Sequence, residues 1–379
     1  MNILIIRYGV ISNNSAFVGV EQIYEKIVEE GHNITIIKSS DDIYESKKLK
    51  VHSINKFLFK PLKKFRLPLS MALLSSRYRS SIHQADFVIV QDPKYFTYFW
   101  VDLLFLIFKR KKFIIELSVI QKFINLNLGF ISKQIKKFSI MNLFFRKCHK
   151  VFAITPFAAK VLPSYGDFPI NYYSNKLVFT GHPVSRYNFE IKKKRDNKIR
   201  ILSIGRLIDE KGYLEIFTVL GIFDKLNFDF VFHIYGGGPL KDFLLTIVEK
   251  YHLQNRIVFF DSLEHKILLE KIPSYDLFVL FQKQTPNWQE YFGLAALEAA
   301  SRGLYVLTTD LPGQFFALKG FNEKVYFVKE NSMSSLRDNI EICFNKILNN
   351  PLSLDQIDSY QEFTIEQIKE KMINSMLDK

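Results

Sequence analysis

Two carboxylates, Glu290 and Glu298, lie eight positions apart in NWQEYFGLAALEAASRG, Asn287 to Gly303. The first precedes a glycine and the second falls inside a run that reads as helix. If both were helical, the rise per residue would separate them by about 12 Å. That is farther than the roughly 5 to 9.5 Å of an acid/base dyad. An extended ligand with hydroxyl groups at its two ends suits this spacing better. The helix start near Phe292, Gly293 and Leu294 would turn free backbone N–H groups toward an anion between those ends, and Gly293 lets the backbone approach closely. An amphipathic helix with two solvated glutamates is the alternative.

A second stretch, ILSIGRLIDEKGYLEIFTVL from Ile201 to Leu220, supplies cations. Its strand ends at Gly205, Arg206 follows at once, and Lys211 sits just before the next helix. Arginine binds phosphate oxygens through two parallel donors, and lysine adds a compact point charge. Together they suit a diphosphate that gathers charge as it leaves. The spacing is not that of a Walker loop, because Gly212 stands where Ser or Thr is required. In HIYGGGPLKDF, Lys241 replaces the third glycine of a dinucleotide fingerprint, so Gly236 to Gly238 read only as a tight strand-to-helix turn. No D-x-D occurs in the chain.

The elements that must position these residues are legible as apolar runs. NILIIR, NITIIK, DFVIVQ, KFIIEL, KVFAIT and KLVFT occupy the first half, and IRILSIG, FDFVFHIYG, RIVFF, DLFVLF, LYVLTT and KVYFVK the second. Helix-length stretches separate most of them, which is the pattern of parallel α/β sheets. The expected fold is therefore α/β, two tandem doubly wound Rossmann-like domains with ligand in an interdomain cleft at the carboxyl ends of the strands. Residues 1–190 form the first domain and 191–355 the second, with the charged stretch Ile191 to Lys198 between them. Residues 356–379 carry Phe363, Ile365, Ile368, Met372 and Met376 at helical spacing, a helix expected to pack back on the first domain.

Composition bounds the class. At 379 residues, with 48% hydrophobic and 24% charged, the chain is folded and large enough for two cores. Cys148 and Cys343 have no partner spacing, so they read as inert core thiols and not as a disulfide or a metal site. The N-terminus reads as a strand and not as a signal peptide, and the run YFTYFWVDLLFLIF is too short to span a bilayer. A cytoplasmic location follows as the expectation.

The net charge of +14 is uneven: residues 1–190 hold 28 Lys/Arg against 13 Asp/Glu, whereas 191–379 hold 24 against 25. Between Lys47 and Lys150 stand 22 basic and four acidic residues, interleaved with aromatics. Ile131, Ile135, Phe138, Met141 and Phe145 share one helical face, and such a helix lies in a headgroup layer with its basic side outward. The asymmetry points to an anionic partner such as a membrane surface, a lipid diphosphate or a nucleic acid, and the expectation is an anionic membrane surface docked through residues 47–150, at the inner face of the cell membrane. A core helix with a solvated basic back is the other reading. A nucleic-acid partner would leave the neutral second half and its motifs unexplained, so none is expected.

Taken in order, GRLIDEKG, YGGGPL, IVFFDSL, EYFGLAALEAASRG and TTDLPG resemble the second domain of GT-B glycosyltransferases of family four, the glycosyl transferases group 1. NKLVFTGHPVSRYNF looks like that family's interdomain stretch. The resemblance implies transfer of a sugar, with retention and without cofactor or metal, from a nucleotide-diphosphate sugar to a glycan or lipid-linked acceptor. It makes Arg206, Lys211 and Glu290 the catalytic residues: the cations neutralise the diphosphate, and Glu290 holds a donor-sugar hydroxyl. Glu298 would hold the ribose, with Gly205, Phe292, Gly293, Leu294 and Gly9 contributing to the donor site. The first domain departs from the family. Its first loop, RYGVISNNSAFVGVEQ, lacks the usual Gly-Gly pair, and FIIELSVIQ offers Glu116 or Ser118 where many members carry a histidine. A sugar-nucleotide epimerase and an inactive nucleotide-sugar-binding homologue are the alternatives on this fold.

Overall fold

The computed structural model describes residues 1–7, 15–38, 48–53, 79–91, 106–117, 140–159, 174–184, 197–225, 228–285, 288–321, 323–349 and 362–378. They fall into two compact units, Met1–Ser185 with Glu362–Lys379, and Arg186–Gln361.

Unit 1 is built on seven parallel strands: β1 (Asn2–Arg7), β2 (Asn33–Lys38), β3 (Lys50–Ser53), β4 (Phe87–Gln91), β5 (Lys112–Leu117), β6 (Lys150–Ala153) and β7 (Leu177–Phe179). Their order is β3-β2-β1-β4-β5-β6-β7. Helices α1 (Ser15–Glu29), α2 (Arg79–Gln84), α3 (Ile140–Lys147) and α4 (Pro156–Ala159) belong to the connections. Strands covered on both faces lose the in/out alternation and become continuous apolar runs, as in Ile3 to Ile6 of β1 and Phe87 to Val90 of β4, all buried.

Unit 2 repeats the plan with six parallel strands: β8 (Ile199–Ile204), β9 (Phe230–Tyr235), β10 (Ile257–Phe260), β11 (Leu277–Leu280), β12 (Tyr305–Thr309) and β13 (Val325–Val328). The order β10-β9-β8-β11-β12-β13 reverses direction between β8 and β11, the topological switch point of a doubly wound sheet. Its helices are α5 (Tyr213–Lys225), α6 (Lys241–Lys250), α7 (His265–Lys271), α8 (Leu294–Ala300), α9 (Pro312–Leu318) and α10 (Met333–Asn349). Phenylalanine fills much of the core. Phe217 of α5 meets Phe232 and Phe259 edge-on with centroids 6.1 Å away in each case, and Phe223 packs against Phe344 of α10 at 5.5 Å.

The last helix, α11 (Ile365–Leu377), belongs to unit 1. Thr364 caps it by accepting a hydrogen bond from the Gln367 N–H. Ile368, Met372 and Met376 are buried. The Val184 N–H donates to Phe363 O at 2.8 Å, Lys371 Nζ to Phe179 O at 3.2 Å, and His149 Nε2 to Met376 O at 3.0 Å.

Both cysteines are buried and free. Desolvation pushes the Cys148 thiol up to about 12 and raises that of Cys343 as well. No described helix is long and apolar enough to cross a membrane.

Ile368→Ala removes a fully buried side chain from the face that α11 gives to unit 1. It should destabilise unit 1 by about 2 to 5 kcal/mol, read as an earlier denaturant midpoint. A loss near zero would show that α11 is not part of that core.

Candidate active site

The site residues of unit 2 lie at the carboxyl ends of β8 and β11. After β8, Gly205 keeps pace with β9 by donating its N–H to Tyr235 O at 3.1 Å. Leu207 is fully buried, and its N–H donates to Gly237 O at 3.0 Å while its carbonyl accepts from Leu240 N–H at 3.1 Å. The glycine turn makes this interlock sterically feasible: a Cβ on Gly236 would stand 2.0 Å from Gly205 O. Gly238 is packed in the same way, with a Cβ 2.5 Å from Leu207 O, whereas Gly237 has open space.

One 3-10 turn, Asp209–Lys211, follows and ends at Gly212 in the left-handed region, φ 66°. There a Cβ would lie 1.9 Å from Phe281 O, so only glycine lets this turn press against the chain leaving β11. Lys283 fastens the same junction. Its Nζ lies 2.9 Å from both Asp209 Oδ1 and Glu215 Oε1, and its N–H donates to Glu210 O at 2.9 Å. Burial works to lower the Lys283 pKa, but the two carboxylates outweigh it and raise the value.

This junction sets Lys211 Nζ 3.4 Å from Glu290 Oε2 and 5.0 Å from the Trp288 ring centroid. Gln282 Nε2 donates to the same carboxylate oxygen at 2.6 Å. The other oxygen, Oε1, accepts the N–H groups of Gly293 at 3.0 Å and Phe292 at 3.4 Å. Burial alone would raise the Glu290 pKa. The Lys211 ammonium, the Gln282 amide and the two N–H groups together overcome it and hold the carboxyl below its ordinary range. Glu290 is therefore an ionised, partly buried group fixed by four donors.

Helix α8 begins at Leu294, two residues later than the sequence suggests, because Gly293 takes a left-handed turn, φ 82°. Glu290 stays outside the helix, and the N–H groups of Phe292 and Gly293, expected to face a ligand, are given to Glu290. Glu298 lies inside α8, 5% exposed, where His265 Nε2 donates to its Oε1 at 2.7 Å. The two glutamates thus have separate partners, one a cation-and-amide cluster and the other an imidazole.

Lys211, Glu290, Phe292 and Gly293 come together in one cluster. Gly205 backs it, since a Cβ there would sit 3.6 Å from Lys211 Cε. Arg206 is exposed, with no ion pair among the described residues. Glu116 belongs to unit 1, where its Oε2 accepts from Tyr24 OH at 3.1 Å and Gln91 Nε2 at 2.8 Å in a buried network. Gly9 and Ser118 lie outside the described residues, as do Ile131, Ile135 and Phe138 of the expected membrane helix. Gln282, Lys283, Trp288 and His265 escaped the sequence reading. The first two stand two and three residues after β11, and Arg206 stands two after β8, a positional signal that was available. For His265 there was none, because its role depends on how α7 packs near α8.

The folded-state pKa of Glu290 is depressed, so its interactions stabilise the fold above the ordinary carboxylate pKa. That stability is lost as pH falls through the depressed value. Lys211→Met removes the nearest cation and should move acid unfolding of unit 2 to higher pH, followed by circular dichroism. An unchanged acid midpoint would refute the pairing.

Residues 185–361 match the family model described as glycosyl transferases group 1. Glycogen synthase of Mycobacterium tuberculosis is 28% identical over 137 residues, 36% of this chain and 32% of that enzyme. One component of the human phosphatidylinositol N-acetylglucosaminyltransferase is 28% identical over 148 residues, 39% of this chain and 29% of that protein. The chain thus matches about a third of the length of these relatives. Among solved structures, Anabaena HepE in complex with UDP superposes with a TM-score of 0.71 over 99% of both chains at 14% identity, a likeness of fold. The chain has the two-domain GT-B fold, and its second unit is similar to the glycosyl transferases group 1.

Proposed function

We propose that this protein moves a glycosyl group from a nucleotide-diphosphate sugar to a hydroxyl of a glycan or lipid-linked acceptor, with retention at the anomeric carbon and without a metal ion. The observation that carries the reading is the Lys211–Glu290 pair, 3.4 Å apart, at the switch point between β8 and β11. Open α/β sheets take nucleotides at that point. The UDP in the HepE complex and the sugar-transferring relatives support the same ligand class.

In this reaction the bond between the anomeric carbon and the phosphate oxygen breaks. The acceptor oxygen bonds to that carbon on the face the leaving group vacates, and the acceptor proton passes to the departing phosphate. Negative charge grows on the diphosphate, and preplaced cations stabilise it more in the transition state than in the bound donor. Lys211 supplies one cation. Exposed Arg206, without an ion pair of its own among the described residues, supplies a second. Once the ammonium is shared with phosphate, Glu290 accepts from a sugar hydroxyl. Glu298, oriented by His265 through Oε1, keeps Oε2 for the ribose hydroxyls. The backbone of Gly293 and Leu294 borders the sugar.

The reading places the enzyme at the inner face of the cell membrane, docked through its basic first half. The charge excess confined to residues 1–190 supports this. Flotation with anionic vesicles at low salt tests it, and a chain that stays in the soluble fraction counts against it.

A panel of nucleotide sugars should raise the melting temperature for the true donor, since ligand binding stabilises the folded state. Lys211→Ala should lower transfer by roughly 100-fold or more, the scale of losing one group that stabilises transition-state charge, in a protein that still folds. Turnover should survive a chelator such as EDTA. Full activity in Lys211→Ala would remove the diphosphate assignment.

A further inference from the structure

The amino ends of the unit 1 strands carry a feature that the transfer reaction does not use. A cavity of about 700 Å³ opens where β5, β6 and β7 begin. Arg110, Lys111, Lys112, Lys147, Lys150 and Lys176 line it together with His149, and no carboxylate is among its described lining residues. Backbone hydrogen bonds tie the three strand starts together, His149 N–H to Phe113 O and Val151 N–H to Lys176 O, both at 2.8 Å.

Two of these cations are fixed in place. Lys111 Nζ donates to His83 O at 2.6 Å and Ala85 O at 2.8 Å. Lys176 Nζ donates to Arg146 O at 2.7 Å and Cys148 O at 2.8 Å. An ammonium has three donors, so each keeps one for a ligand. Lys150 reaches Asp378 at 3.3 Å, the one carboxylate touching this group of cations among the described residues. Arg110 and Lys147 are exposed and without ion pairs there.

Arg110 also holds a costly position. Its N–H donates to Ile107 O at 3.0 Å and that of Lys111 to Leu106 O at 2.9 Å, which is the helix-ending arrangement that favours glycine. The arginine adopts φ 52° there. A bulky cation at a glycine position, beside five lysines around one hollow, is arranged to hold anionic charge and not to stabilise the fold.

We infer that this cavity is a binding site for phosphate esters bearing more than one negative charge, in unit 1 at the sheet edge opposite its carboxyl ends. Its volume exceeds what one phosphate fills and suits a headgroup or a short polyphosphate. The site does not depend on the proposed sugar transfer, which uses unit 2.

The test uses the full chain carrying Lys211→Ala, so that the donor site of unit 2 does not contribute. Inorganic tripolyphosphate should bind, measured by calorimetry, and the affinity should fall as salt rises. Adding Arg110→Gly with Lys147→Gln should weaken binding by about tenfold or more, while the melting temperature holds or rises because glycine relieves the left-handed backbone. Sedimentation with phosphatidic acid vesicles, whose phosphomonoester headgroup can carry two negative charges, separates the sources. Vesicle binding that tripolyphosphate displaces assigns the site to a lipid headgroup, and tripolyphosphate binding without vesicle binding assigns it to a soluble phosphorylated ligand. Absence of tripolyphosphate binding, or affinity unchanged by the double substitution, overturns the inference.

Discussion

A carboxylate taken out of water must find donors or lose its charge, and in this protein that requirement organises the second unit. Glu290 meets it with one ammonium, one amide and two backbone N–H groups. The four donors come from three places: Lys211 from the turn after β8, Gln282 from the end of β11, and Phe292 and Gly293 from the approach to α8. The carboxylate therefore ties two strand ends and a helix start into one structure. Gly212 and Lys283 exist in the form they do because those pieces must meet; the first admits the contact with Phe281 and the second clamps the turn with two acids.

The arrangement also bears on function. A lysine kept for a diphosphate would, alone in a half-buried crevice, bear a desolvated charge. Paired with Glu290 it is neutralised in the free protein, and under the proposed transfer an incoming diphosphate would compete for an ammonium already in position. Little reorganisation would then remain at the moment of reaction, which is the condition under which electrostatic stabilisation is strongest. Unit 1 uses an equivalent sheet differently. One of its buried carboxylates, Glu116, accepts from Tyr24 and Gln91, while its cations gather at the opposite edge of the strands.

Much of this was legible in the sequence because the strands are unusually clear. Twelve of the thirteen strands coincide with apolar runs, since a strand covered on both faces must be apolar throughout. The exception, β3 with sequence KVHS, is short and half polar and has no such mark. The E-x7-E spacing and the Arg206 to Lys211 segment pointed to Lys211 and Glu290, which the fold brings 3.4 Å apart. What they did not disclose was the pairing: that Glu290 accepts the N–H groups of Phe292 and Gly293 ahead of α8, and that Glu298 bonds to His265. Both depend on contacts between elements distant in the chain, and a left-handed Gly293 shifts the helix start by two residues. Side chains that act by bridging loops, such as Lys283, have no local periodicity to give them away.

The claim that one ion pair organises the site is open to a double-mutant cycle. Lys211→Met, Glu290→Gln and the double variant would be compared by denaturant unfolding of unit 2. Contacting residues of this kind are expected to show a coupling energy of about 1 kcal/mol or more, with the double variant less damaged than the sum of the singles. Additive losses would mean that Lys211 and Glu290 act independently, and would contradict the account.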